Sequence, residues 1–146
     1  MPSARPPKVL VCALLIAGTG LSAKPGHAEG ALAIGQTGNI AADGIALGIS
    51  VDYRTRELAR QQALQTCRNF QGAPERTRAL CKLTETFRKK CAAVALDPKA
   101  GTPGAGWAVA KSKDAAEGEA VERCRDSAGR DRREFCKVAA SQCDKS

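Results

Sequence analysis

One feature constrains the fold more than any other: the chain carries the same cysteine-bearing unit twice. Gly48–Arg68 overlays Ala105–Arg125 without a gap, setting Arg54 on Lys111, Thr55 on Ser112, Arg56 on Lys113, Ala59 on Ala116, Ala63 on Ala120, Cys67 on Cys124 and Arg68 on Arg125. Further on, Cys81-Lys82 matches Cys136-Lys137 once the second connection is shortened by two residues. A repeated unit must fold the same way in both places and bury its apolar face against neighbouring structure.

Each copy has the same local grammar. An apolar or alternating stretch, Ile45 to Val51 and Trp107 to Lys111, suits a strand. Thr55 and Ser112 then stand as helix N-caps, with Glu57 and Asp114 in the first turn where the helix dipole favours acids. The helix stripes Ala59, Ala63, Leu64, Cys67 and Ala116, Ala120, Val121, Cys124 are narrow and small, so the cysteine lies on the face that meets the sheet. Gly72 with Pro74, and Gly129, mark the helix exits. Ala79 to Thr86 and Glu134 to Ala140 read as the strands that follow, and Ala31 to Gly35 and Cys91 to Leu96 as the first strands of the copies. Gln36 to Gly44 and Asp97 to Gly106 read as loops. The expected class is α+β: two strand-helix-strand repeats forming an antiparallel sheet with two helices on one face, in one disulfide-stabilised domain over residues 29–146, its halves spanning about 30–86 and 91–143.

The first 28 residues read as a signal peptide. Arg5 and Lys8 precede an apolar run from Val9 to Ala17, and Gly26 and Ala28 offer the small side chains a signal peptidase probes, with Ala23 as a second cut site. Cys12 lies inside the run after Val11, which speaks against a lipid anchor there. The run is too short to span a bilayer and no later stretch is longer, so no transmembrane segment is expected after cleavage. Removal of Arg5, Lys8 and Lys24 lowers the net charge from +8 to +5 and also removes the single histidine, His27. Six cysteines remain, Cys67, Cys81, Cys91, Cys124, Cys136 and Cys143, the even count of a disulfide framework in an exported chain. Six cysteines allow about 15 connectivities. Repeat symmetry pairs Cys67 with Cys81 and Cys124 with Cys136, leaving Cys91 and Cys143 to join the copies. The expected location is the periplasm or the external medium. With only Tyr53, Phe70, Phe87, Trp107 and Phe135 as aromatics, the core is thin and leans on these cross-links.

The Gly30-Ala-Leu-Ala-Ile-Gly segment, the strand leading into Tyr53-Arg-Thr-Arg-Glu-Leu-Ala, Ala63-Leu-Gln-Thr-Cys67 and Cys81-Lys-Leu together resemble the exported bacterial domain-of-unknown-function family 4189. The resemblance spans most of the chain beyond the leader, in both copies. The sequence departs from the family's aromatic-rich strands, keeping Trp107 but using Gly-Ile-Ser-Val in the first copy. Membership implies a secreted or periplasmic domain, sometimes attached to other modules, with no catalytic residues to carry over.

Chemistry is mostly excluded. Without a histidine after cleavage there is no nucleophile–histidine device and no histidine zinc site, and the cysteine spacings of 14, 10, 33, 12 and 7 residues lack the close pairs of zinc ribbons or thiol-exchange motifs. Gly101 to Gly106 lacks the lysine–hydroxyl ending of a phosphate loop. No catalytic residue, metal ligand or cofactor is therefore assigned. Asp43, Asp52, Glu85 and Asp97 are the conceivable members of a hydrolytic carboxylate pair, although Asp43-Gly44 and Asp97-Pro98 are ordinary turn chemistry.

Dispersed basic residues remain: Arg54, Arg56 and Arg60, Arg76 and Arg78, the Arg88-Lys89-Lys90 turn, and Arg130, Arg132 and Arg133. The candidate partner-binding set is Tyr53, Arg54, Arg56, Trp107, Arg132 and Arg133, with solvated surface and core packing as the simpler roles. Export and the scarcity of stacking aromatics disfavour nucleic acid. The expected function is a non-enzymatic binding protein, inhibitor- or immunity-like in one form, facing an acidic protein or an anionic envelope polymer. A carboxylate-only envelope hydrolase and a purely structural role are the alternatives.

Overall fold

The two hydroxyl residues act as helix caps. Thr55 Oγ1 accepts the Leu58 N–H at 3.2 Å and Ser112 Oγ accepts that of Ala115 at the same distance. They open the two main helices of a computed structural model that describes residues 29–145. The proposed leader, residues 1–28, lies outside the described residues. In chain order the elements are β1 (Glu29–Gln36), α1 (Ile40–Asp43), β2 (Ile45–Tyr53), α2 (Arg56–Arg68), α3 (Glu75–Arg78), β3 (Lys82–Phe87), β4 (Cys91–Leu96), β5 (Ala105–Ala110), α4 (Lys113–Ala128) and β6 (Lys137–Cys143), with a 3₁₀ turn at Arg133–Phe135.

The class is the expected disulfide-stabilised α+β, with every strand pairing antiparallel. The strands divide between two three-stranded sheets, ordered β2-β1-β3 and β5-β4-β6, where one sheet was expected. Side-chain size explains the division. Along β1, Leu32 and Ile34 point one way and Ala31 and Ala33 the other, and β4 repeats this with Ala92 and Val94 against Ala93 and Ala95. The larger residues, with Ile45, Leu47, Ile49 and Phe87, fill a core between the two sheets. The alanine faces turn outward, one against Ala59, Ala63 and Cys67 of α2, the other against Ala116, Ala120, Cys124 and Ala128 of α4. The layers therefore run helix, sheet, sheet, helix. Both helices on one face of one sheet would leave the leucine and isoleucine face in water, at about 25 cal/mol per Å².

Small residues let the helices sit very close to the sheets. A Cβ on Gly48 would fall under 3.0 Å from backbone atoms of Ala63 and Cys67, and one on Gly106 likewise from Ala120 and Cys124. These glycines are therefore structural equivalents, which corrects the gapless overlay by one residue within the strand. The extra residue of the first copy is taken up near Asp52, at φ 62°, where the β1–β2 register jumps from Glu29↔Tyr53 to Ala31↔Ser50.

Three shorter expectations are adjusted. β3 starts at Lys82, because Pro74 opens α3 and the amides of Ala79, Leu80 and Cys81 bond back into that turn. β6 starts at Lys137, after the 3₁₀ turn. The Gln36–Gly44 connection holds α1, capped by Asn39 Oδ1 on the Ala42 N–H at 3.1 Å.

Disulfides join Cys67 to Cys81, Cys124 to Cys136 and Cys91 to Cys143. The first two staple each helix to the strand that follows it. The third does not join the copies: Cys91 opens β4, Cys143 closes β6, and the two are ladder partners within the second sheet.

Candidate functional site

Strand direction gives the molecule two ends. At one, the connections after β1 and after β4 line a common cavity. At the other, Asp144, just past β6, accepts the Asp52 N–H at 3.3 Å and the Lys89 N–H at 2.8 Å, while Asp52 Oδ1 accepts the Lys145 N–H at 2.8 Å. Asp144 is buried, so its carboxylate ties the end of β2, the β3–β4 turn and the chain after β6 together.

The cavity measures about 680 Å³ and opens between α1, the start of β2 and Phe70 on one side and Leu96, the 98–104 loop and Val138 on the other. Asp43 and Asp97 both lie in its wall, so two of the four carboxylates singled out by sequence share one cavity. Each is held by an arginine from the turn after its own half's helix. Arg76 donates to Asp43 from Nε at 2.8 Å and Nη2 at 2.6 Å, and Thr37 Oγ1 donates at 2.7 Å. Arg132 donates to Asp97 through Nε at 2.8 Å and Nη2 at 2.6 Å, with the Lys99 N–H at 3.0 Å. The Thr37 hydroxyl and Arg76 lower the pKa of Asp43, and Arg132 holds Asp97 far below the usual carboxylate range. Both stay ionised and hydrogen-bonded, the reverse of the protonated carboxyl that a glycosidase needs as its general acid. Asp52 lies at the other end and Glu85 is exposed on β3, so neither joins them.

The opposite end is basic. Ladder pairing of Cys91 with Ala110 and with Cys143 brings Lys90, Lys111 and the Asp144-Lys145 segment to neighbouring strand ends. Glu29, paired with Tyr53 in the β1–β2 ladder, is 5% exposed and bonds to Arg88, with Arg56 at 3.8 Å. The acids Glu29, Asp52 and Asp144 are thus occupied internally. Arg54, Lys89, Lys90, Lys111 and Lys145 make no side-chain ion pair among the described residues.

The partner-binding residues expected from sequence are not gathered in one place. Tyr53, Arg54 and Arg56 stand at the basic end, Tyr53 half-buried against the α2-side core. Trp107 packs against the core between the sheets and not against a helix. Arg132 is consumed by Asp97 and lies over the Phe135 ring at 4.0 Å, and Arg133 reaches Asp126 at 3.7 Å. Sequence reading overlooked Lys111 and Lys145, whose place at this end follows only from ladder register, and Lys99 and Lys137 in the cavity wall. Among the described residues no group of three or more His, Cys, Asp or Glu converges as a metal site, and no helix is long and apolar enough to cross a membrane.

Residues 30–143 match the model of the family described as a domain of unknown function, DUF4189. No curated protein and no solved structure matches the chain significantly.

Proposed function

The chain belongs to the DUF4189 family, and we propose from that premise that it is an exported, non-enzymatic binding domain whose basic end engages carboxylate- or phosphate-rich partners. An acidic protein or an anionic envelope polymer supplies that chemistry, and an inhibitor or immunity protein is one form the role takes. Nucleic acid is not the partner in this reading. One observation carries it: cations just after β2 and β5, in the β3–β4 turn and in the chain after β6 gather where the nearby acids Glu29, Asp52 and Asp144 are already bonded. Such a surface keeps its positive field for a partner. Three disulfides are compatible with an oxidising, extracytoplasmic setting.

A hydrolase finds less support, since the two acids that share a cavity are each neutralised by an arginine. The test titrates oxidised protein lacking residues 1–28 with polyglutamate and with an anionic polysaccharide at rising salt. Binding is expected to weaken steeply as the screening length falls from about 10 Å at 0.1 M to about 3 Å at 1 M. The combination Arg54→Glu, Lys90→Glu and Lys111→Glu is expected to weaken it by on the order of tenfold or more. No binding to either polymer, or binding indifferent to salt and to these changes, overturns the proposal.

A further inference from the structure

The cavity at the other end is the right size and chemistry for a second kind of ligand. Its walls are largely apolar, with Ile40, Ile45, Phe70, Leu96, Pro98 and Val138 facing or rimming it. Its volume of about 680 Å³ lies within the range of small-molecule sites. Val138 keeps 39% of its surface exposed there although it is a strand residue. The wall's two carboxylates are cancelled in place, Asp43 by Arg76 and Asp97 by Arg132. The charges that remain are two lysines, Lys99 in the loop after β4 and Lys137 at the start of β6, and neither ammonium makes an ion pair among the described residues. An apolar cleft with two unneutralised cations on its wall complements a molecule with a hydrocarbon body and one anionic head.

We propose that this cleft binds a single-chain anionic amphiphile of the fatty-carboxylate type, its chain between α1 and Leu96 and its carboxylate at Lys99 and Lys137. Burial of the chain against these apolar walls would supply affinity. The lysines would supply selection for an anion. The site lies at the opposite end from the polyanion surface, so it stands or falls separately from that reading.

The probe is dodecanoate, titrated below its micelle concentration into oxidised protein by calorimetry, with backbone NMR shifts to locate it. Saturable 1:1 binding is expected, with shifts concentrated in residues 40–45, 96–104 and 137–139. Lys99→Glu with Lys137→Glu is expected to weaken it by on the order of tenfold or more, as the head group then faces like charges. Both lysines are exposed, and Lys99→Ala with Lys137→Ala serves as the milder pair, expected to weaken binding in the same direction. Dodecyltrimethylammonium is expected to bind more weakly than dodecanoate, and Arg54→Glu with Lys90→Glu to leave dodecanoate binding unchanged. Absence of saturable binding, shifts elsewhere, or affinity indifferent to the lysines or to the sign of the head group each overturns the proposal.

Discussion

Gly106 offers a direct test of how the layers are held, because the same glycine-to-alanine change is expected to act in opposite directions at two positions of one half. At Gly106 a new Cβ would fall under 3.0 Å from Ala120 O, Cys124 N and Arg123 C. These are backbone atoms of α4, so no side chain can rotate away, and the helix itself must lift from β5. Lifting it opens an interface of fully buried small groups, Ala116, Ala120 and Cys124 on Ala93 and Ala95. Overpacking of this kind costs about 1–3 kcal/mol. The alanine also narrows the unfolded ensemble, which offsets about 0.4–1 kcal/mol. The expected net loss for Gly106→Ala is about 1–2 kcal/mol. Gly118, in the same helix, has nothing within 4 Å of the equivalent position, so Gly118→Ala is expected to gain about 0.5–1 kcal/mol from helix propensity alone. Urea denaturation of the oxidised proteins at neutral pH measures both. A Gly106→Ala protein as stable as the parent would refute the close helix–sheet approach. An equal loss in Gly118→Ala would show the effect to be unrelated to that approach.

The two aspartate–arginine pairs carry a pH dependence of defined sign. The folded values of Asp97 and Asp43 lie below the ordinary carboxylate value, so the stability they add is fully present above about pH 4 and is lost as pH falls below it toward the folded values. Arg132→Gln is expected to destabilise at neutral pH and to flatten this acid limb, read as the urea midpoint between pH 7 and pH 2; a parallel profile would contradict the assignment. Disulfide removal is expected to rank by loop length. Loop closure over 52 residues predicts about 4 kcal/mol for Cys91→Ala with Cys143→Ala, against about 3 kcal/mol over 14 residues for Cys67→Ala with Cys81→Ala. Equilibrium unfolding of the two pairs checks it, and a reversed order would show that chain entropy is not what these bridges contribute.

What was legible in the sequence was what one residue type decides locally. Thr55 and Ser112 announced the helix starts, Gly129 the exit of α4, and the small stripes the buried helix faces. The α+β class followed from these. The division into two sheets was not legible, because it depends on where the larger face of each sheet goes. Leu32, Ile34, Val94 and Leu96 give the same alternation whether their face meets a helix or another sheet. Cys91 to Leu96 was legible as the first strand of the second copy, but not that its bridge to Cys143 stays inside that copy, because this depends on β6 lying beside β4 in the ladder. The candidate sites were the least legible. Lys90, Lys111 and Lys145 are distant in sequence and become neighbours only through the β4–β5 and β4–β6 registers. Asp43 and Asp97 were recognised as turn residues, but the arginines that neutralise them come from separate turns after α2 and α4.

Superposing the two halves by their glycines separates scaffold from speciality. Gly48 faces Ala33 and Gly106 faces Ala95, so Ala33 and Ala95 correspond; across the next ladder Ala33 pairs with Leu83 and Ala95 with Val138. Counting outward, Glu29 falls on Cys91 and Arg88 on Cys143. The first half therefore closes its strand ends with an ion pair where the second half uses a disulfide. The helix-to-strand disulfide, by contrast, occurs at matching positions in both halves, as expected of a part that the fold itself requires, whereas the aspartate–arginine clamps do not superpose, since Asp97 falls on Gly35 and Asp43 closes α1. The ion-pair closure is itself neutral, and the cations this turn offers the basic end are its neighbours Lys89 and Lys90. The cavity is asymmetric in the same way: α1 forms one wall and the irregular loop after Asp97 the other. Both proposed binding surfaces thus fall where the halves differ, and the shared features are accounted for by folding alone.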